Sequence, residues 1–221
     1  MNTSTIAALA TPPGQGGLAV IRISGPDAVD ILKKLFVPAG NQTAFVDRMM
    51  MYGHIVLDGH PLDECMAVVM RAPRSYTRED VVEIQVHGGE QVVSSVLKAV
   101  FHLGAEAAEP GEFTRRAFEN GRIDLSQAEA VMQLISATGQ QAADAALRQL
   151  QGGTLRFVKK AQTELISLMA GVTAAIDYPE EIEEEEAVGA IAPDLIRLAD
   201  KLLAACDERG AAVLDEGLRV V

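Results

Sequence analysis

The sequence predicts an α+β domain at the N-terminus followed by an all-α domain, and three features of its 221 residues support this division. In the first half, short β-branched segments alternate with turn-forming residues such as Asp58-Gly59 and His87-Gly88-Gly89, a pattern typical of an α+β domain. From Pro110 onward, apolar residues recur at helical spacing. Because 48% of the residues are hydrophobic, the chain can form a core without disulfide bonds.

The first predicted elements form one βα unit. Residues 18–23 are a strand candidate, and Ser24-Gly25-Pro26-Asp27 has the spacing of a capping box that opens a helix. The apolar residues of this helix share one face and are Val29, Leu32, Leu35 and Phe36.

More strands and a helix are predicted before residue 110. Residues 52–57 and 65–70 can pair as a hairpin around Asp58-Gly59, although the segment between them is longer than a two-residue turn. Residues 81–87 alternate apolar with polar side chains, which predicts a strand with Glu83, Gln85 and His87 on its polar face. The helix that follows carries Val92, Val96 and Val100.

The second half is predicted to be helical throughout. Helices are expected over residues 113–120, with Gly121 as the stop, and from Asp124 or Ser126 onward. Apolar stripes on the latter and on a longer helix imply helix-on-helix packing. These stripes comprise Ala128, Val131, Met132, Ile135, Leu155, Val158, Leu165, Met169, Val172 and Ile176. Pro179 predicts a break before a last helix over residues 192–209.

Composition excludes several classes of protein. A net charge of −12 argues against a nucleic-acid clamp along the whole chain, so any nucleic acid would meet a local basic patch. Two cysteines far apart in sequence, Cys65 and Cys206, fit a reducing compartment and exclude a Cys-rich zinc ribbon. Residues 1–11 carry no secretory pattern, and no apolar run approaches the roughly 20 residues of a membrane span. We expect a soluble cytoplasmic protein with no membrane partner.

Two segments near the end of the chain bear on its organisation. Residues 177–186 hold seven carboxylates and no basic residue. We interpret them as a solvated connection and predict no metal site, because consecutive glutamates cannot all converge on one ion. Residues 218–221 resemble the opening of a buried strand, which indicates the front portion of a longer protein.

A glycine-rich loop precedes the first predicted strand. Gly14, Gly16 and Gly17 raise the possibility of phosphate binding, but a mononucleotide loop follows a strand and needs Gly-Lys-Ser/Thr at a helix start. No Gly-Lys dipeptide occurs in the 221 residues. The alternative is a tight turn at which the backbone approaches a neighbour.

Arg22 lies in an otherwise apolar strand and therefore needs an anion or a set of acceptors. The partner is either internal, for example Glu83, or a bound ligand, and the residues alone leave both open. The polar face of the strand that carries Glu83 either covers a ligand or is simply the solvent side. His87 is interpreted as a turn residue, and no catalytic residue is predicted.

Arg115, Arg116 and Arg122 form the densest basic cluster, near the junction between the two halves. This cluster either binds phosphate or carboxylate groups, or pairs on a helix surface with Glu112, Glu119 and Asp124.

Several segments, taken together and in this order, resemble one family. They are Thr5-Ile6-Ala7-Ala8 through Ala10-Thr11-Pro12-Pro13-Gly14, Gly16-Gly17, Ile21-Arg22-Ile23-Ser24-Gly25, residues 77–84, His87-Gly88-Gly89, Pro110-Gly111-Glu112-Phe113-Thr114, Arg116-Ala117-Phe118, residues 125–129 and Ala175-Ile176-Asp177-Tyr178-Pro179. The family is that of the tRNA modification GTPase MnmE, also called TrmE. The resemblance covers essentially the whole chain.

The resemblance implies a mixed-sheet N-terminal domain, residues 1–118, that binds a tetrahydrofolate derivative and forms a homodimer. Residues 119–221 would be the first part of a helical domain into which a Ras-like G domain is inserted. GTP, Mg²⁺ and K⁺ would bind in that G domain, beyond this chain, so the chain alone is expected not to be catalytic. The whole protein would work with the flavoprotein MnmG to modify carbon 5 of the wobble uridine of certain tRNAs.

The family's folate contacts map onto Arg22, Glu83 and Arg122, the last of which is a lysine in some relatives. A carboxylate such as Glu83 can accept the adjacent N–H donors of a pterin, and arginines suit the carboxylates of the glutamate tail. The folate would be a 5-formyl or methylene form and would supply a one-carbon unit. The alternative is a truncated scaffold with an incomplete pocket, because a C-terminal lysine contact has no counterpart here. Departures from the family include Gln15, where some relatives have arginine, and Arg78, where many have glycine.

Overall fold

A computed structural model describes residues 4–40, 44–178 and 184–206 of the chain. The chain separates into two units, Met1–Ile123 and Asp124–Val221. The boundary between residues 118 and 119 stays a prediction.

Within its described residues, the first unit contains one mixed sheet and three helices. The strands are β1 (Ile6–Leu9), β2 (Gly16–Ser24), β3 (Phe36–Pro38), β4 (Met51–Leu57), β5 (His60–Met70), β6 (Val81–Gly88) and β7 (Glu106–Ala107), and the helices are α1 (Ala28–Leu35), α2 (Glu90–His102) and α3 (Glu112–Glu119). The strand order is β3-β4-β5-β6-β2-β1-β7. Only the β1–β7 pair is parallel among these strands. This arrangement confirms the α+β prediction with a mixed sheet.

The strands with clear patterns are confirmed. β2 and β6 include the predicted residues, and the β4–β5 hairpin turns at Asp58-Gly59. The hairpin turn is shorter than predicted because β5 begins at His60, which pairs with Leu57. Both turn residues have positive φ, 50° and 78°, which suits a two-residue turn between twisted strands. The short strands β1, β3 and β7 were not predicted, because two to four residues show too little alternation to identify a strand.

The predicted capping box at the start of α1 is wrong. The N-cap residue is Asp27, and its side chain makes no capping hydrogen bond. The Asp27 backbone N–H instead donates to the Thr5 hydroxyl at 2.9 Å, so a contact distant in sequence replaces the local cap. Phe36 adopts an extended conformation and begins β3, although it was predicted to share the face of the helix.

The core of the first unit lies between one face of the sheet and the helices α1 and α2. Ile21 and Ile23 of β2 and Val82 and Ile84 of β6 are buried on this face. Strict alternation directs the intervening side chains of both strands to the opposite face of the sheet. The polar face predicted for β6 is therefore confirmed, and α2 carries the predicted buried residues Val96 and Val100.

Every secondary-structure element in the described part of the second unit is a helix. The helices are α4 (Leu125–Ser136), α5 (Gln140–Leu150), α6 (Gly153–Asp177) and α7 (Glu184–Ala205), and the all-α prediction is confirmed. Asp124 caps α4 in a capping box with Gln127, which resolves the alternative starts in favour of Asp124. α7 begins earlier than predicted, at Glu184. It contains Pro193, which a helix can include at the cost of a backbone hydrogen bond. The predicted break at Pro179 and residues 218–221 lie outside the described residues.

The apolar stripes of this unit do not form its buried contacts. Helices α4 and α5 pack together, as do α6 and α7, but the side chains buried within the described residues are Ala130, Ala146, Ala161 and Leu198. Ile135 and Ile176 on the predicted stripes are 75% and 71% exposed. The buried positions are thus mainly alanines, whereas most residues of the apolar stripes lie at the surface. Across the described ranges, no helix combines the length and hydropathy that crossing a membrane requires.

Candidate functional site

Arg22 and Glu83 form an ion pair on the sheet face opposite the core. They are directly paired residues of β2 and β6, and Glu83 Oε1 accepts hydrogen bonds from Arg22 Nε at 2.9 Å and Nη2 at 2.7 Å. Their side chains are 28% and 22% exposed. Within the described part of the chain, Glu83 Oε2 accepts no hydrogen bond. Glu83 is thus the internal partner of Arg22, and one of its oxygens stays available.

Two aromatic rings flank the Arg22 guanidinium. Its central carbon, Cζ, lies 5.7 Å from the ring centre of Tyr76 and 5.6 Å from that of Phe113. Both distances fall within the roughly 6 Å over which a cation is attracted to an aromatic face. Tyr76 lies in the loop between β5 and β6, and Phe113 in the first turn of α3. The Arg22 guanidinium is therefore flanked by one ring from the β5–β6 loop and by one ring from α3.

Arg122 joins this group through Tyr76. Its Cζ lies 4.8 Å from the Tyr76 ring centre, and its Nη1 donates to the Tyr76 carbonyl oxygen at 3.2 Å. Arg122 is exposed, and within the described ranges it makes no ion pair with a carboxylate. The structure thus places Arg22 and Arg122 against the same ring, and Glu83 is bonded to Arg22.

Sequence reasoning missed Tyr76 and Phe113 as members of this group. Phe113 lies within a family-like segment, and Tyr76 immediately precedes one. Aromatic residues make up only 4% of the chain, so an aromatic side chain in a polar loop was the available signal.

The basic cluster divides into three separate roles. Arg116 is 1% exposed and bonds Glu112 Oε1 at 3.0 Å, Glu79 Oε2 at 3.3 Å and the Ser4 carbonyl at 2.8 Å. Arg115 stays at the surface, where Glu109, Glu112 and Glu119 surround it. The predicted pairing on the helix surface is confirmed for Arg115, which pairs with Glu112 and Glu119. Arg116 also pairs with Glu112, but this pair is buried. The carboxylate of Asp124, the third predicted partner, caps α4.

The buried charges around Arg116 are mutually compensated. Burial alone raises the pKa of Glu112, but the backbone N–H of Glu109 and the Arg116 guanidinium outweigh this effect and hold the pKa below its ordinary value. Glu79, which also accepts from Arg116, accepts a hydrogen bond from Ser24 at 2.7 Å. This network connects the start of the chain, the end of β2, the loop before β6 and α3.

The same network fixes the loop that carries Tyr76. Ser24 and Thr77 hydroxyls lie 2.7 Å apart, and Asn120 Nδ2 donates to the Thr77 carbonyl at 2.7 Å. Ser75 donates to the Glu79 carbonyl at 2.6 Å within the loop. Ser75 and Thr77, the two neighbours of Tyr76, are both buried. The ring of Tyr76 is therefore carried by an anchored segment.

The glycine-rich loop makes a close backbone contact. Gly16 pairs with Gly88, and a Cβ on Gly88 would lie 2.4 Å from the Gly16 carbonyl oxygen. The interpretation as a tight approach is therefore confirmed, and the loop continues into a strand instead of a helix. Beside it, residues 12–16 and α2 line a groove of about 840 Å³.

His87 lies at the far end of β6 and pairs with Asp63. Its Nδ1 is 2.8 Å from Asp63 Oδ1, and its backbone N–H donates to Oδ2 at 2.8 Å. The hydrogen bond to Asp63, and then the charge of that carboxylate, raise the pKa of His87 above its ordinary value. His87 contacts none of the three predicted site residues in these interactions.

Comparison with known proteins matches both units. The family model described as GTP-binding protein TrmE N-terminus matches residues 5–122, and that described as MnmE helical domain matches residues 125–219. Among relatives named tRNA modification GTPase MnmE, the Listeria welshimeri protein is 50% identical over 186 residues, covering 84% of this chain and 41% of the relative. The Moorella thermoacetica protein is 45% identical over 227 residues, covering 100% of this chain and 48% of the relative. The Chloroflexus aurantiacus protein is 45% identical over 218 residues, covering 98% and 48%.

The chain spans less than half the length of these relatives. Its two units correspond to two successive family models, and the relatives align across both. This chain therefore belongs to the MnmE, or TrmE, family of tRNA modification GTPases.

Proposed function

We propose that this chain is the folate-binding and dimerising part of a GTPase that modifies carbon 5 of the wobble uridine of certain tRNAs. A tetrahydrofolate derivative, in the 5-formyl or methylene form, would supply the one-carbon unit, and the flavoprotein MnmG would be the partner. The observation that supports folate binding is that Arg22, which is paired with Glu83, and Arg122 both contact the ring of Tyr76. These residues come from β2, β6 and the segment after α3.

The side chains of this group suit a flat heterocycle with an acidic tail. Glu83 Oε1 is held by Arg22, which leaves Oε2 to accept an N–H donor of a pterin. Arg22 would keep the carboxylate oriented. The exposed guanidinium of Arg122 offers several N–H donors for the carboxylates of the glutamate tail. When bound, the folate would supply the one-carbon chemistry, and this chain would bind and orient it.

The GTPase activity of the proposed protein would belong to a part outside this chain. GTP hydrolysis with Mg²⁺ and K⁺ would take place in a G domain, and the assembly would act on tRNA in the cytoplasm. The N-terminal unit would form the homodimer.

One observation favours a second candidate function, that of a structural scaffold with an incomplete folate pocket. Arg22 and Glu83 already satisfy each other, so the need of Arg22 for an anion is met without a ligand. The scaffold predicts a folded dimer that does not bind folate.

Calorimetric titration with 5-formyltetrahydrofolate tests the proposal, with the mass of the protein followed by light scattering. We expect saturable binding by a dimer, weakened at least tenfold by Arg22→Ala and by Glu83→Ala. Arg115→Ala is the matched control, because it removes an exposed arginine of α3 that is paired with carboxylates. Unchanged affinity in both site variants would refute the site, and no binding by a folded wild-type dimer would favour the scaffold.

A further inference from the structure

Tyr76 contacts both arginines of the candidate site, although no prediction assigned it a role. We infer that Tyr76 is a positioning residue whose ring holds the Arg122 guanidinium beside the Arg22–Glu83 pair. This inference rests on the proposed folate site and names the residue that organises its cationic part.

Arg122 depends on Tyr76 more than Arg22 does. Two of the described contacts hold Arg122 in place, and both come from Tyr76: the ring face at 4.8 Å and the backbone carbonyl at 3.2 Å. Arg22, by contrast, is also held by Glu83 and by the ring of Phe113. An exposed arginine samples many rotamers unless a contact restricts it. Removing the ring should therefore loosen the Arg122 guanidinium, which would keep only its bond to the backbone carbonyl of residue 76, and leave Arg22 largely in place.

The position of the ring is itself constrained. The Tyr76 hydroxyl lies 2.9 Å from the Thr114 hydroxyl of α3, and the neighbouring residues Ser75 and Thr77 are buried. Thr77 is joined to Ser24 at the end of β2. Because α3 and the end of β2 both fix this segment, the ring is a rigid surface against which a flexible arginine can be ordered.

Ordering Arg122 would serve a ligand that presents N–H donors next to an acidic group. Glu83 offers an acceptor and Arg122 offers donors, and the ring of Tyr76 contacts both Arg122 and the Arg22 guanidinium that holds Glu83. A guanidinium ordered before binding loses less conformational entropy when a carboxylate arrives. Tyr76 then raises affinity through Arg122, not through an independent contact of its own.

Titration with 5-formyltetrahydrofolate tests this coupling. We expect Tyr76→Leu to weaken binding about fivefold, because a cation–π contact at an exposed site is worth up to about that factor. Tyr76→Phe, which keeps the ring and loses the hydroxyl, should stay within about twofold of wild type. In the Arg122→Ala background, Tyr76→Leu should cost little more. Unchanged affinity in Tyr76→Leu, or losses that multiply in the double variant, would overturn the inference.

A ligand-free measurement keeps this test separate from that of folate binding. NMR of the arginine Nε–Hε groups should show Arg122 shifted by the Tyr76 ring current and restricted in motion. Both features should vanish in Tyr76→Leu and persist in Tyr76→Phe, with thermal unfolding used to verify that each variant is folded. This result together with no folate binding would refute the proposed function and support the positioning role. A mobile, unshifted Arg122 in the wild-type chain would overturn the positioning role whatever the folate result.

Discussion

Arg22 and Glu83 lie directly opposite each other on the antiparallel strands β2 and β6, and a single carboxylate oxygen of Glu83 accepts both hydrogen bonds from the guanidinium. The pair joins two central strands of the sheet on the face away from the core. The same geometry orients the carboxylate and engages only one of its two oxygens. Structure and proposed binding thus depend on the same two side chains.

The first prediction separates the structural share of this pair from its binding role. A double-mutant cycle with Arg22→Ala and Glu83→Ala should give a coupling energy of about 1 kcal/mol in urea unfolding. The value lies at the upper end of the range for exposed pairs, because both side chains are about a quarter exposed. A coupling energy indistinguishable from zero would mean that the pair does not stabilise the fold.

The second prediction concerns the buried Arg116. Arg116→Met should lower the free energy of unfolding by about 3–5 kcal/mol, because Glu79 and Glu112 would keep buried charges without their partner. The neighbouring Arg115→Ala is the control and should lower the free energy of unfolding by less than about 1 kcal/mol, because the Arg115 side chain is 51% exposed. Similar losses in the two variants would contradict the assignment of Arg116 as the centre of the network.

The third prediction tests the close approach of two backbones. Gly88→Ala should destabilise the first unit by about 1–3 kcal/mol, because the added Cβ meets the Gly16 carbonyl, which cannot move away as a flexible side chain would. Gly17→Ala is the matched control, since a Cβ there has no neighbour within 4 Å. Chemical denaturation measures both, and equal stability of the two variants would contradict the contact.

The fourth prediction concerns Arg78, whose φ of 60° lies in the left-handed region that favours glycine. Arg78→Gly should be more stable than Arg78→Ala by about 1 kcal/mol, because this conformation is sterically unfavourable for alanine but not for glycine. Both variants lose the hydrogen bond to the Asn120 carbonyl, so the comparison isolates the backbone. Thermal unfolding provides the measurement, and an alanine variant at least as stable as the glycine variant would contradict it.

The fifth prediction is a pH dependence at His87. Its hydrogen bond to Asp63 and the charge of that carboxylate raise the pKa, so the folded state binds the proton more tightly than the unfolded chain. The resulting stabilisation is complete below the unfolded pKa, about 6.5 for histidine, and is lost as pH rises through the higher folded value. NMR titration of the imidazole should show this raised pKa, and Asp63→Asn should return it towards 6.5. An unshifted His87 in the wild-type chain would contradict the ion pair.

Local patterns predicted the long elements and failed where distant contacts intervene. The alternation in β6 was identified, and a helix start was expected at Asp124 or Ser126, because both signals are complete within a few residues. The similar spacing from Ser24 to Asp27 was misleading, since the Ser24 hydroxyl is engaged by Thr77 and Glu79. The apolar stripes of the second unit likewise predicted packing surfaces, although the side chains buried among its described residues are mainly alanines.

The candidate site could be predicted in its members but not in its arrangement. The sequence marked Arg22 as a charge that needs a partner, offered Glu83 as one possibility and placed Arg122 in a basic cluster. The resemblance to a family then grouped the three as folate contacts. Neither source identified Tyr76 as the shared contact of both arginines. Nor did they distinguish the buried Arg116 from its exposed neighbour Arg115, because burial depends on what packs against α3 from elsewhere in the chain.

The sequence by itself determined which faces of the strands are apolar, where the clearest turns fall and which family the chain resembles, because these properties reside in short-range order. The tertiary structure alone decided that Glu83 partners Arg22 across 61 positions of sequence, and that a rigid loop places Tyr76 between two cations. The physical reason is strand register. A shift of one residue in the β2–β6 pairing would direct one of the two side chains to the opposite face of the sheet.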